Sequence, residues 1–288
     1  MSEPTVSVLK TYKLFLGGAF PRSESGRSYE VVDHEGRFVA NCAQGSRKDV
    51  RDAVQAARKG QEQWWSQTAA NRCLVLYRAA EMLEGRKATF TEHVTQAEGV
   101  SAETARALVT KSIDRLVYYA GWCDKLAQIR GGSNPVAGPY FTFTVPEPTG
   151  VIGVIAPQES SLLGLISVVA PILAAGNAVV VATSEQRPIP AMEFAEVLAT
   201  SDLPAGVCNL LTGRLGELAP TLASHHDVDG LDLAGAPQEM VAPLVAAASA
   251  TITRVQRPAL ATEWDDDPGT KRLTAFTELK TVWHTIGR

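Results

Sequence analysis

The sequence predicts an α/β fold built on a doubly wound, mainly parallel sheet. From Gly150 onward, strand-like and helix-like segments alternate: strands at 151–156, 178–181, 207–211 and 228–233, and helices at 162–174, 191–200, 216–224 and 238–250. The strands are almost continuously apolar, as strands covered by helices on both faces must be. The helix over 191–200 carries Ala191, Phe194, Ala195 and Leu198 at the i, i+3, i+4, i+7 spacing of one buried stripe.

Ahead of this region, residues 12–20 alternate and turn at Gly17-Gly18, which predicts a strand and hairpin. Short strands are expected near 28–33 and 37–42. Ser46 with Asp49 three residues later is a capping-box pattern, after which Val50, Ala53, Val54 and Ala57 share a helical face. Leu76, Ala80 and Leu83 mark a second helix ended by Gly85. A long amphipathic helix then buries Ile113, Leu116, Val117, Ala120 and Ala127. Residues 131–139 read as a loop. Tyr140–Pro148 reads as a ribbon whose prolines confine it to a sheet edge or an excursion from the core. The apolar stretch 162–182 is broken by Pro171 and by Gly176-Asn177, so it reads as core helix, turn and strand; a membrane span needs about 20 uninterrupted apolar residues. Residues 263–270 form an acidic turn, and 273–286 alternate like a strand that must find an edge to pair with.

Composition narrows the function classes. The 288 residues are 45% hydrophobic and 20% charged, which excludes wholesale disorder. A net charge of −4 leaves no basic face for nucleic acid. Cys42, Cys73, Cys123 and Cys208 form no C-x-x-C pair, which argues against zinc and disulfides and fits a reducing compartment. Residues 1–4 carry no basic or apolar leader pattern, so the expected location is cytoplasmic.

Several runs resemble one family. Glu147-Pro148-Thr149-Gly150-Val151-Ile152-Gly153 is similar to the E-P-x-G-V-V-G entry strand of the aldehyde dehydrogenase superfamily, and Ala174-Ala175-Gly176-Asn177-Ala178-Val179-Val180 to its A-A-G-N-x-V-V run. Ser184-Glu185, Leu203-Pro204-Ala205-Gly206 and Thr212-Gly213 follow in the family's order; Leu16-Gly17-Gly18, the helix ending at Trp64, and Tyr118-Tyr119-Ala120-Gly121 fit upstream. The resemblance implies a Rossmann-like coenzyme-type domain over 1–130 and 151–258. It also implies an oligomerisation hairpin and terminal strand over 131–150 and 271–288. The family's catalytic domain should lie between, but residues 250–275 are too few to make a domain.

The resemblance also sets out the chemistry to look for: a thiolate nucleophile, oxyanion donors, a general-base carboxylate and NAD(P)+ as hydride acceptor. None of the four cysteines maps onto the family's nucleophile, so inert packing is expected of each. The oxyanion-donor Asn falls at Glu159, and the general-base Glu has no counterpart in Gln256-Arg257-Pro258-Ala259. Of the Lys and Glu that contact the adenosine ribose, the Lys is Ala182 and only Glu185 is kept. At the pyrophosphate-binding helix start, Ala236 and Pro237 replace Ser and Thr, and proline removes an N–H. NAD or NADP thus meets an eroded site, with Glu185 its one retained candidate. His225-His226-Asp227 and Asp265-Asp266-Asp267 read as surface features and not as metal sites.

Three functions follow as expectations. The first is a catalytically deficient, aldehyde-dehydrogenase-like subunit that partners a full-length homologue or itself through Tyr140–Pro148 and residues 276–283, from Phe276 to Trp283. The second is a component of an NAD(P)-dependent aldehyde oxidoreductase active only with a partner chain. The third is a nucleotide-binding module.

Overall fold

The structure, a computed structural model, describes residues 10–259 and 264–287. The expectations for residues 1–4 and for Glu263 lie outside the described residues.

Three strands open the chain: β1 (Thr11–Tyr12), β2 (Ser28–Val32) and β3 (Phe38–Ala43), ordered β1-β3-β2. The hairpin predicted over 12–20 shrinks to a tight turn. Gly17 and Gly18 both take positive φ, 60° and 78°, the pair of left-handed positions a two-residue turn favours. Phe15 then exchanges backbone hydrogen bonds with Leu210 at 3.0 and 2.8 Å, so this segment is tied to the main sheet, and β1 runs parallel to β3.

Five helices follow: α1 (Arg47–Ser66), α2 (Ala69–Gly85), α3 (Lys87–Glu98), α4 (Ala102–Ala120) and the short α5 (Leu126–Arg130). The capping box at α1 forms as the sequence predicts, with the Asp49 carboxylate accepting the Ser46 N–H at 2.9 Å. The sequence gives little sign of α3, whose buried side is Phe90 and Val94 alone. The expected continuation of α4 to Ala127 does not occur. The chain turns at Gly121, leaving Cys123 in a turn and Val117 and Ala127 exposed.

The predicted loop over 131–139 contains β4 (Gly132–Ser133), which pairs with β5 (Tyr140–Pro148). The chain then alternates through β6 (Val151–Ile155), α6 (Leu163–Ala174), β7 (Ala178–Ala182), α7 (Ile189–Ala199), β8 (Cys208–Leu211), α8 (Leu215–Ala223), β9 (Gly230–Asp232), α9 (Gln238–Ser249) and β10 (Arg254–Gln256). These strands form an all-parallel sheet in the order β10-β9-β6-β7-β8, the doubly wound arrangement the sequence predicts. Ile152, Val154, Val179 and Val181 face α6 and α7, whereas Val151, Ile155 and Val180 face α1, α8 and α9. All of α6 is buried, and Pro171 sits within it without ending it. Among the described residues no helix is long and apolar enough to cross a membrane.

The remaining elements are α10 (Lys271–Ala275) and β11 (Thr277–Thr285). The chain here meets the main sheet at β9. Residues 264–276 run across it as a strap, with Leu273 and Phe276 at 0% and 2% exposure and Trp264 packed on the same core. Arg272 Nη1 donates to the Asp232 carboxylate at 2.9 Å. Arg115, on α4, donates to the carbonyls of Trp264 and Asp266 at 2.9 and 2.8 Å. The strap then leads into β11, which pairs antiparallel with β5 from Thr277↔Pro148 to Thr285↔Tyr140. The terminal strand thus finds its edge within this chain. The resulting arm is a three-stranded sheet ordered β11-β5-β4.

Candidate functional site

In a doubly wound sheet the ligand crevice lies at the carboxyl ends of the strands, where the winding reverses. Here the reversal falls at β6, flanked by β7 and β9. The β9–α9 connection closes tightly on the end of β6. Gly235 N–H donates to Ile155 O at 2.9 Å, and a Cβ at Gly235 would lie 1.8 Å from Ala156 O. Only glycine permits that approach.

On the other side of β6, the 156–162 and 183–188 loops are stitched together. Gln158 reaches back to Ala156 O at 2.6 Å and accepts the Glu185 N–H at 3.0 Å, and Ser184 Oγ donates to Gln158 O at 3.0 Å. Glu159 points outward, its side chain 87% exposed, and pairs with Arg187 at 2.9 Å. Ala182 is wholly buried at the end of β7, with no cation in its place.

Glu185 sits at the rim of this crevice, with both carboxylate oxygens engaged. One accepts from Arg214 Nη1 at 2.7 Å, and the other accepts the Leu215 N–H at 2.9 Å, at the start of α8. The Arg214 guanidinium lies over the Tyr29 ring at 5.3 Å. Tyr29, Asp33, Glu185, Arg187 and Arg214 line a cleft of about 320 Å³. A ribose diol would therefore have to displace Arg214 to reach Glu185. At the α9 start, the Ala236 N–H is already held by Leu233 O at 3.0 Å, and Pro237 has no N–H to offer. The residues present do not fit a dinucleotide held by Glu185 and the α9 start.

Two carboxylates at this end of the sheet escape a motif search. Asp232 is buried at the end of β9, where burial holds its carboxyl above the usual range although Arg272 opposes the shift. An Asp inside an otherwise apolar strand is the signal that could have found it, since a buried charge demands a partner. Glu98, at the end of α3, accepts from both the N–H and the hydroxyl of Ser161 at 2.7 and 2.6 Å. No carboxylate occurs within 254–259, and His225 uses its Nδ1 to accept the Asp227 N–H at 3.1 Å. Among the described residues no group of three or more His, Cys, Asp or Glu side chains could hold a metal ion.

The thiols are poorly suited to nucleophilic work. Burial pushes Cys42 and Cys123 up to about 12 and raises Cys208 as well. A thiol whose pKa is raised stays protonated until the pH passes the raised value. Labelling of the native chain by a disulfide reagent at pH 8 should therefore modify only the half-buried Cys73 rapidly, with the other three reacting after denaturation.

Comparison with known proteins gives a consistent picture. The model of the aldehyde dehydrogenase family matches residues 20–258. Aldehyde dehydrogenase family 2 member B4, mitochondrial, of Arabidopsis thaliana is 35% identical over 237 residues, covering 81% of this chain and 43% of that protein. Omega-crystallin of Enteroctopus dofleini is 30% identical over 250 residues, covering 85% and 50%. The NAD+ complex of an aldehyde dehydrogenase from Bacillus cereus superposes with a TM-score of 0.80 at 25% identity, covering 85% of this chain and 50% of the other. The chain spans about half the length of the curated relatives it matches.

Proposed function

The chain belongs to the aldehyde dehydrogenase family, and from that premise we propose that it serves as a catalytically silent subunit which docks, through the β11-β5-β4 arm, onto a full-length family member or a second copy. The observation that carries this reading is the route from β10 to β11. Residues 257–276 cross it, too few for a catalytic domain, and they end in a strap sealed onto the sheet by Arg272, Leu273 and Phe276. The crevice supports it as well. Glu159, where the resemblance implies an oxyanion-donor Asn, points outward to Arg187, the cysteines with raised pKa are buried, and Arg214 holds Glu185. What is kept is scaffold and arm, which fits a structural or regulatory role in the cytoplasm.

The test is co-expression with full-length homologues, followed by size exclusion and an aldehyde oxidation assay with NAD+ and NADP+. The expected outcome is no turnover by the chain alone and a stable mixed or self-assembled species. Turnover by the homogeneous chain would overturn the reading. Turnover that requires both chains, and exceeds that of the homologue alone, would instead favour an NAD(P)-dependent two-chain enzyme.

A further inference from the structure

We infer that the chain holds a small phosphomonoester in a cleft of about 240 Å³ beside β1, with the phosphate on Lys13, Arg22 and Arg27. The inference is independent of the arm and of what the arm docks onto.

The carboxyl ends of β1 and β3 and the start of β2 meet at this cleft, beside the segment 22–27 that leads into β2. Its charged lining is Lys13, Arg22 and Arg27, and no carboxylate lines it. Among the described residues only Arg27 of the three has an acidic partner, Glu217 at 2.8 Å. Such a concentration of positive charge stands out in a chain whose net charge is −4. The segment that carries both arginines is fixed in advance. Asp49, 4% exposed in the first turn of α1, accepts from the Ser23 hydroxyl at 2.7 Å and the Glu24 N–H at 3.2 Å, besides closing the α1 capping box. Gly26 supplies the left-handed position of the turn, with φ 68°. Ser25 Oγ accepts from the backbone N–H and from Nε of Arg27, both at 3.3 Å, while Arg27 Nη2 donates to Glu217 of α8. The guanidinium is thus braced on two sides, and a side chain already held in place loses little freedom when a ligand arrives.

These features select the ligand. Guanidinium groups donate in pairs to the oxygens of phosphate, and an ammonium adds a point charge that needs no set direction. A carboxylate brings one charge and two oxygens to three cations. A phosphomonoester brings three oxygens and a charge of roughly −1.5 to −2 at neutral pH, which matches them better. The size of the cleft bounds the rest. Pockets for drug-sized ligands run to about 300–1,000 Å³, so this one admits a phosphate with a short organic body and leaves no room for a dinucleotide. The body meets Tyr12 and Ala43, 7% and 6% exposed, and the small side chains of Ser23 and Ser28 keep the space open.

The experiment uses the full chain with glycerol 3-phosphate as the probe, beside inorganic phosphate and sodium chloride at matched ionic strength. Calorimetric titration at neutral pH should show one site for the ester, and the melting temperature should rise with its concentration. Binding should weaken as the solution is made acidic, because the ester loses its second charge near about pH 6 while lysine and arginine stay charged. Arg22→Gln and Lys13→Gln should each weaken binding about tenfold or more. Ser28→Trp, which fills the cleft and keeps every cation, should abolish it, whereas Lys59→Gln, on the exposed side of α1, should leave it unchanged. All four positions are exposed, and an unchanged melting curve without ligand verifies the fold. No heat and no melting shift at millimolar ester overturns the inference, as does an equal response to sodium chloride or an equal loss in Lys59→Gln. Inorganic phosphate that binds while the ester does not overturns it too, and so does a phosphoserine peptide that binds more tightly than the ester, which would assign the cleft to a protein partner. Each of these results leaves the docking function where it stands, since the chain is tested alone.

Discussion

Arg272→Met is expected to destabilise the fold by about 3–5 kcal/mol, because it strips the partner from a buried carboxylate and leaves the desolvation of that charge uncompensated. Asp232 is 2% exposed and Arg272 donates to it at 2.9 Å, while its other oxygen accepts the Ala234 N–H at 2.9 Å. The double variant Asp232→Asn with Arg272→Met should recover much of the loss, since a neutral amide keeps the Ala234 contact without a buried charge. The pH dependence has a definite sign. Burial already raises the folded-state pKa of Asp232, and removing the guanidinium raises it further. A carboxyl whose folded pKa lies above its unfolded value contributes most stability when protonated, at low pH, and loses it as pH rises through the folded pKa. Chemical denaturation of Arg272→Met should therefore show stability recovering as the pH is lowered from neutrality toward the acid limb, relative to wild type. A variant that tracks wild type at every pH would show that the strap is not anchored by this pair.

Phe276→Ala is expected to cost about 3–5 kcal/mol, the range for truncating a buried phenylalanine. Its ring packs against Ile152 and fills the space that the missing side chain of Gly230 leaves open. Its backbone carbonyl accepts from Asn177 Nδ2 at 3.0 Å and from the Thr149 N–H at 3.2 Å. Phe276 thus joins strap, arm and main sheet at one point. Thermal melting should register the loss, and hydrogen exchange should show β11 amides losing protection more than those of β7. Uniform loss across all strands would mean that the arm and the sheet open together.

The main sheet was legible because its strands are apolar runs of the right length, bounded by turn residues, and the structure sets them in the predicted doubly wound order. The misses share a physical cause. The α3 helix buries only two apolar side chains, so it leaves little periodic signal. The three-residue β10 and five-residue α10 are defined by what they pack against, and short elements carry too few residues to show a period. The strap was hidden for the same reason: its anchors, Trp264, Arg272, Leu273 and Phe276, are scattered over an acidic turn and the start of the strand-like stretch that follows it. At the crevice, the resemblance pointed to Glu185 and to an Ala at 182 in place of a Lys. It could not show that Arg214, distant in sequence, already holds that carboxylate.

The nine-residue pairing of β11 with β5 also dictates an order of events during synthesis. When β5 leaves the ribosome, β4 can shield only two of its residues, and the strand that completes the sheet has not been translated. Tyr140, Phe141 and Phe143 must wait as a nascent, sticky ribbon until the codons for Thr277 onward have been read. Contacts so far apart along the chain form slowly. A chaperone that grips aromatic strands should therefore bind this polypeptide once β5 has emerged and release it once β11 has docked.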